Sequence, residues 1–165
     1  MTAESELERR SFEEIKGLSP SGYYLALRLG FAFPLEEVNE LPIEWVEHYS
    51  SKRFMLHDPL IRWVYENVGT IRWSEIQIPD SHGVLAQAHN FGLRYGAAVC
   101  CVEDGPEGQR SFGTFARPDR EFTASEVGVL FESVKTLHRS KAPPTNLTAA
   151  EIEALRMVRD GVRLK

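Results

Sequence analysis

WVEHYSSKRFMLHDPLIRWVYENVGTIRW, residues 45–73, carries the chemistry around which the rest of the chain is arranged. Pro42, just upstream, stands early in a helical stretch where a missing N–H costs nothing, and Trp45 and Tyr49 fall one turn apart on one face. Asp58-Pro59 is a helix start: a carboxylate able to accept backbone N–H groups, then a proline whose φ is already helical. Leu60, Ile61, Val64 and Val68 give that helix an apolar stripe, Gly69 can end it, and Thr70–Trp73 has strand character. Trp45, Trp73, Tyr49 and Asp58 within so short a span suit a mostly apolar pocket with a few polar anchors. Plainer roles exist for each. Trp45, Tyr49 and Trp73 can be core aromatics, and Asp58 a helix cap worth about 1 kcal/mol. For Asp58 the two roles are compatible, because a carboxylate has lone pairs for both a backbone N–H and a ligand N–H.

Outside this stretch, composition narrows the function. The chain has 165 residues, 42% apolar and 26% charged, enough for one domain with a proper core plus an appendage. Its net charge of -5 argues against nucleic-acid binding by this chain alone, since phosphate contacts need a basic surface. No apolar run approaches a membrane span, and Met1–Arg10 is charged rather than signal-like. Cys100 and Cys101 are adjacent, so on a strand they face opposite ways and do not pair; the expected compartment is the cytoplasm. His57-Asp58 invites a catalytic reading, but adjacent side chains do not normally face each other and no G-x-S-x-G motif is present. His48, His82 and His89 lack metal-site spacing, and His138 falls in a helix tail. Neither catalysis, nor a metal, nor a cofactor is expected.

Before the aromatic stretch, residues 3–19 read as a helix, with Ser5–Glu8 and Ser11–Glu14 as candidate capping boxes. From Tyr23 to Phe33 odd positions are large and apolar while Ala26, Gly30 and Ala32 are small, a strand pattern that Gly30 can divide. Pro34–Leu41 reads as an acidic connection. After the stretch, Asp80 or Ser81 can cap a helix carrying Val84, Leu85, Ala88 and Phe91, which Gly92 ends. Leu93–Val102 and Gln109–Arg117 form a hairpin around residues 104–108. Thr123 and Glu126 then box the start of a helix striped with Val127, Leu130, Phe131, Val134 and Leu137, apolar enough for a core and a partner contact. Residues 141–146 read as a linker, and a last helix carries Ile152, Leu155 and Val158.

The spacing W-x3-Y-x8-D-P-x13-W resembles the ligand-binding domain of the LuxR-type quorum-sensing regulators, which bind acyl-homoserine lactones. The resemblance implies that Trp45 donates its indole N–H to the lactone carbonyl, Tyr49 packs beside the acyl chain near its amide, Asp58 accepts the amide N–H and Trp73 packs on the lactone ring. Pro59 matches the family's helix-start proline, and Gly96 a glycine at the head of a central strand. The implied fold is an α-β-α sandwich around an antiparallel sheet of about five strands. Residues 1–140 would be the autoinducer-binding domain and 141–146 the linker. Residues 147–165 resemble the first helix of the family's helix-turn-helix, with the scaffold and recognition helices missing, so specific DNA binding by this chain is not expected.

Departures from the family's pattern bear on the ligand. Many relatives carry a tyrosine four residues before the first tryptophan; here Leu41 stands there. Thr114 matches a Ser or Thr that contacts the acyl carbonyl, which leaves it as the hydroxyl for that job. Arg110 and Phe112 share a strand face with Thr114. Phe112 is expected to shorten the acyl tunnel, and Arg110 either lines it or reaches solvent. The principal reading is a lactone sensor acting as a homodimer, or as a heterodimer with a full-length regulator. Two rivals remain: a natural short form that blocks a full-length relative by dimerising with it, and an orphan domain that binds no lactone.

Overall fold

A computed structural model describes residues 2–30, 33–104 and 108–141. In chain order these form α1 (Ala3–Leu18), β1 (Gly22–Leu29), β2 (Pro34–Asn39), α2 (Ile43–Ser51), α3 (Pro59–Glu66), β3 (Gly69–Arg72), α4 (Val84–His89), β4 (Tyr95–Val102), β5 (Arg110–Arg117) and α5 (Ala124–Ser140). Short 3-10 turns at Phe54–Leu56 and Trp73–Glu75 complete the order. The strands make one antiparallel sheet ordered β2-β1-β5-β4-β3, with α1 and α5 on one face and α2, α3 and α4 on the other. The expected α-β-α sandwich is therefore present. The linker and last helix expected at 141–165 lie almost wholly outside the described residues, as do parts of the Tyr23–Phe33 stretch and the 104–108 loop.

Alternation along each strand sorts the two layers. Tyr23, Leu25, Leu27, Ala97, Val99, Cys101 and Phe115 face α1 and α5, where they meet Ile15, Val127, Leu130, Val134 and Leu137. Ala26, Ala98, Cys100 and Phe112 face α3. Cys100 and Cys101 thus lie on opposite faces, both as free thiols. On the second face, residues line up in rows across the sheet: Glu37, Ala26, Phe112 and Cys100 in one, and Asn39, Tyr24, Thr114 and Ala98 in the next.

Five sequence expectations need correction. Pro34–Asn39 is no mere connection but the edge strand β2; its proline opens the strand and its two glutamates belong to an edge that shuns further pairing. Val68 lies outside the α3 stripe and is exposed, because the helix stops at Glu66 and Gly69, at φ 113°, opens β3. Thr2 caps α1 by accepting from Ser5 N–H at 3.0 Å, so neither Ser5 nor Ser11 is the cap. The α5 stripe does not do double duty: Val127, Leu130, Val134 and Leu137 are all buried against the sheet and α1, and Phe131 is partly covered too. Neither Asp80 nor Ser81 stands at the N-cap of α4, which is Gly83, but the Asp80 carboxylate still serves the helix start, accepting from Val84 and Leu85 N–H at 2.8 and 2.9 Å. At α5 the expected box is present, with Thr123 and Glu126 bonded reciprocally.

The end of α5 is fastened to the sheet by a buried polar network. Arg28, at φ 54° beside a bulge in β1, donates through Nε to the His138 carbonyl at 2.8 Å and pairs with Glu103. Its backbone N–H goes to Ser111 Oγ at 2.8 Å, so the one Ser111 hydroxyl proton is free to reach His138 Nδ1. That leaves His138 Nε2–H donating to Glu103 Oε1 at 2.9 Å, with the ring neutral. Burial and the Arg28 charge hold His138 below its ordinary value of 6.5. The unfolded chain then binds this proton more readily than the fold, so stability is full above that value and is lost as pH falls through it. The melting temperature should drop as pH falls below the ordinary value of 6.5, and His138→Gln should flatten that slope. Equal slopes in thermal melts of the two proteins would contradict the assignment.

Candidate functional site

Between the second sheet face and the α2–α4 layer lies a cavity of about 370 Å³, lined mainly by apolar side chains. Its main polar feature comes from two elements meeting at a helix start. Asp58, at the N-cap of α3, accepts from Leu60 N–H through Oδ1 at 2.8 Å and from the Tyr49 hydroxyl through Oδ2 at 2.7 Å. Asp58 is only 8% exposed, and burial raises its pKa; the bonds from Tyr49 and Leu60 partly offset the shift. Burial and the adjacent carboxylate likewise push the Tyr49 hydroxyl well above its ordinary range, so it stays protonated and donates.

Trp45 comes from α2 one turn before Tyr49, and is buried in an aromatic nest. Its ring centroid lies 5.6 Å from Tyr49, 6.1 Å from Phe54 and 5.4 Å from Phe91. His48 Nε2 and Gln87 Oε1, 2.7 Å apart, tie this helix to α4. Trp73 reaches the cavity from the far edge, and its indole lies flat on Gly96: a Cβ there would stand 2.0 Å from two of its ring carbons. The glycine is therefore required by a close approach rather than by its backbone angles. Trp73 Nε1 and Thr114 Oγ1 are buried without a hydrogen-bond partner among the described residues.

Of the residues singled out in the sequence, Leu41, Trp45, Tyr49, Asp58, Trp73, Phe112 and Thr114 all line this one cavity. Pro59 occupies the first turn of α3, behind Asp58. Arg110 is a correction. It shares the strand face, yet its Nη1 donates to the carbonyls of Val64 and Asn67 at 2.7 and 2.6 Å, closing the C-terminal end of α3 instead of lining the cavity. Sequence reasoning missed Tyr24, Glu37 and Tyr65. Tyr24 had a signal, as the one large aromatic at an even position of β1; Glu37 had none until β2 is known to be a strand.

Residues 36–133 match the family model described as the autoinducer binding domain. The chain belongs to that family. This autoinducer-binding domain resembles SdiA of Escherichia coli, at 23% identity over 98% of this chain and 74% of that one, with a TM-score of 0.61. It also resembles CepR2 of Burkholderia cenocepacia, an N-acylhomoserine-lactone-dependent LuxR-family transcription factor, at 18% identity over 84% and 93% of the two chains and a TM-score of 0.54. A third similar structure is SdiA in complex with octanoyl-rac-glycerol, at 22% identity over 98% and 72% of the chains and a TM-score of 0.61. At such identities the likeness is one of fold. No curated protein matches the chain. The family consists of ligand-sensing regulator domains of the LuxR type rather than enzymes, and among the described residues no helix is long and apolar enough to cross a membrane.

Proposed function

We propose that this domain senses an acyl-homoserine lactone held in the cavity, as the ligand-binding part of a quorum-sensing transcriptional regulator. The observation that carries the proposal is the buried Tyr49–Asp58 pair, set in an apolar cavity between two tryptophans. Asp58 keeps lone pairs for the ligand's amide N–H after serving Leu60 and Tyr49. Trp45 would donate to the lactone carbonyl and Trp73 cover the lactone ring. With Leu41 at the position of the family's tyrosine, the unpaired Thr114 hydroxyl is the group for the acyl carbonyl. Apolar burial of the acyl group supplies most of the affinity, at about 25 cal/mol per Å². The anchors discriminate, because a ligand that leaves one of them unpaired loses about 1–3 kcal/mol. A dimer, with itself or with a full-length regulator, would use surface other than the Val127–Leu137 stripe, which the core consumes.

A ligand that binds only the folded state raises stability by about 2.7 kcal/mol at a hundredfold excess over Kd. Thermal melts with hexanoyl, dodecanoyl and phenylacetyl homoserine lactones should therefore rise with ligand concentration. The shorter and aromatic acyl groups should act at lower concentration, because Phe112 occupies the cavity face beside Thr114. A flat response to all three lactones would sink the proposal. 1-Octanoylglycerol belongs in the same panel; a shift from it alone would assign the cavity to acylglycerols.

A further inference from the structure

The cavity has a second polar end, on the edge strand. Glu37 pairs in register with Ala26, which places its side chain on the same sheet face as Tyr24, Phe112 and Thr114. Glu37 lines the cavity, and its Oε2 accepts the Tyr24 hydroxyl proton. Among the described residues no cation pairs with it, and its other oxygen has no protein donor. Beside it stand three aromatic rings: Phe112 lies 6.0 Å from Tyr24 and 6.1 Å from Tyr65, centroid to centroid. Gly22, Ala116 and Gly96, beneath Trp73, form a row four residues along β1 from the Ala26 row, which is about 14 Å at strand rise. A ligand with its head at Trp73 and Asp58 therefore leaves its far end among these rings and this carboxylate.

We propose that Glu37, oriented by Tyr24, is a specificity-determining residue that selects an acyl group ending in a hydroxylated aromatic ring. The assignment rests on the cavity being the lactone site. The rings favour a flat aromatic partner packed edge to face or offset. A carboxylate beside them has to be desolvated by a plain apolar end and gets nothing in return, whereas a phenol restores a charge-assisted hydrogen bond. A carboxylate-ended ligand would be repelled.

The test uses two probes that differ by one hydroxyl: N-[3-(4-hydroxyphenyl)propanoyl]homoserine lactone and N-(3-phenylpropanoyl)homoserine lactone. Each is titrated by calorimetry into the wild-type chain, Glu37→Gln, Glu37→Ala and Tyr24→Phe, with octanoyl-homoserine lactone as reference. The hydroxylated probe should bind the wild type about tenfold tighter than its partner. Glu37→Ala should erase that preference, with the phenyl probe binding tighter than to the wild type because no carboxylate has to be desolvated, and Glu37→Gln and Tyr24→Phe should fall between. Glu37 is exposed on an edge strand, so these variants are expected to fold, and a thermal melt checks each. Equal binding of the two probes by the wild type, or a preference that survives Glu37→Ala, overturns the assignment. If neither aromatic probe binds while octanoyl-homoserine lactone does, this selectivity falls and the lactone reading stands; if no lactone binds, both fall.

Discussion

Gly96→Ala is expected to lower the melting temperature by roughly 10 °C and to abolish lactone binding. The added Cβ would sit 2.0 Å from Cδ2 and Cε2 of Trp73, well inside van der Waals contact. A rigid indole cannot yield by rotating a distal bond, so either the ring or the strand must move. The backbone around Trp73 is held. Arg72 Nε donates to the Phe122 carbonyl at 2.7 Å, and Glu75 closes the 3-10 turn by accepting from Arg72 N–H at 3.0 Å. The ring is thus pushed toward the cavity, where it takes the space proposed for the lactone. Overpacking of this kind costs about 1–3 kcal/mol. Trp73→Ala in the same chain should recover part of the stability, with a coupling of about 1–3 kcal/mol in the double-mutant cycle, but not the binding. A Gly96→Ala protein that melts and binds lactone like the wild type would refute the contact.

How far the sequence reached can be traced residue by residue. Asp58-Pro59 was legible because a cap and an N1 proline are local chemistry, and the structure starts α3 at that point. Alternation in Tyr23–Leu29 was legible for the same reason. β2 was not, since an edge strand with glutamates at Glu36 and Glu37 has a solvated composition, indistinguishable from a loop until its register is known. Glu37 disappeared from the candidate site along with it. The α5 stripe shows the opposite limit: amphipathicity states that a face is buried, not by what, and here α1 and the sheet cover it. For Arg110 the period-two rule gave the right face and the wrong destination. A guanidinium on a long side chain goes to the strongest unpaired acceptors in reach, here the last carbonyls of α3.

Replacing Asp58 should separate its cap from its proposed ligand contact. Burial raises its pKa, so the folded state holds this proton more readily than the unfolded chain. Ionisation of Asp58 therefore costs stability as pH rises from the ordinary 3.8 through the folded value, and that cost persists at neutral pH. Asp58→Asn removes that cost and keeps a residue that caps about as well, but turns an NH2 group toward Tyr49 in place of its acceptor; the two effects oppose, so unfolding in denaturant without ligand should change little. Binding should behave otherwise. One carboxylate oxygen serves Leu60 and the other Tyr49, and an amide has a single oxygen. With that oxygen kept on Leu60, the NH2 group faces Tyr49 and the cavity, and meets the ligand's own N–H as donor against donor. A charge-assisted acceptor gives about 1.5–3 kcal/mol, so lactone affinity should fall roughly tenfold to a hundredfold. Asp58→Ala should lose on both counts: about 1 kcal/mol for the cap, and more for a Tyr49 hydroxyl left buried without an acceptor. Denaturant unfolding and lactone titration on all three proteins decide it. Should Asn bind lactone as tightly as Asp while Ala merely unfolds more easily, Asp58 is a cap alone, and the ligand's N–H must find its acceptor elsewhere in the cavity.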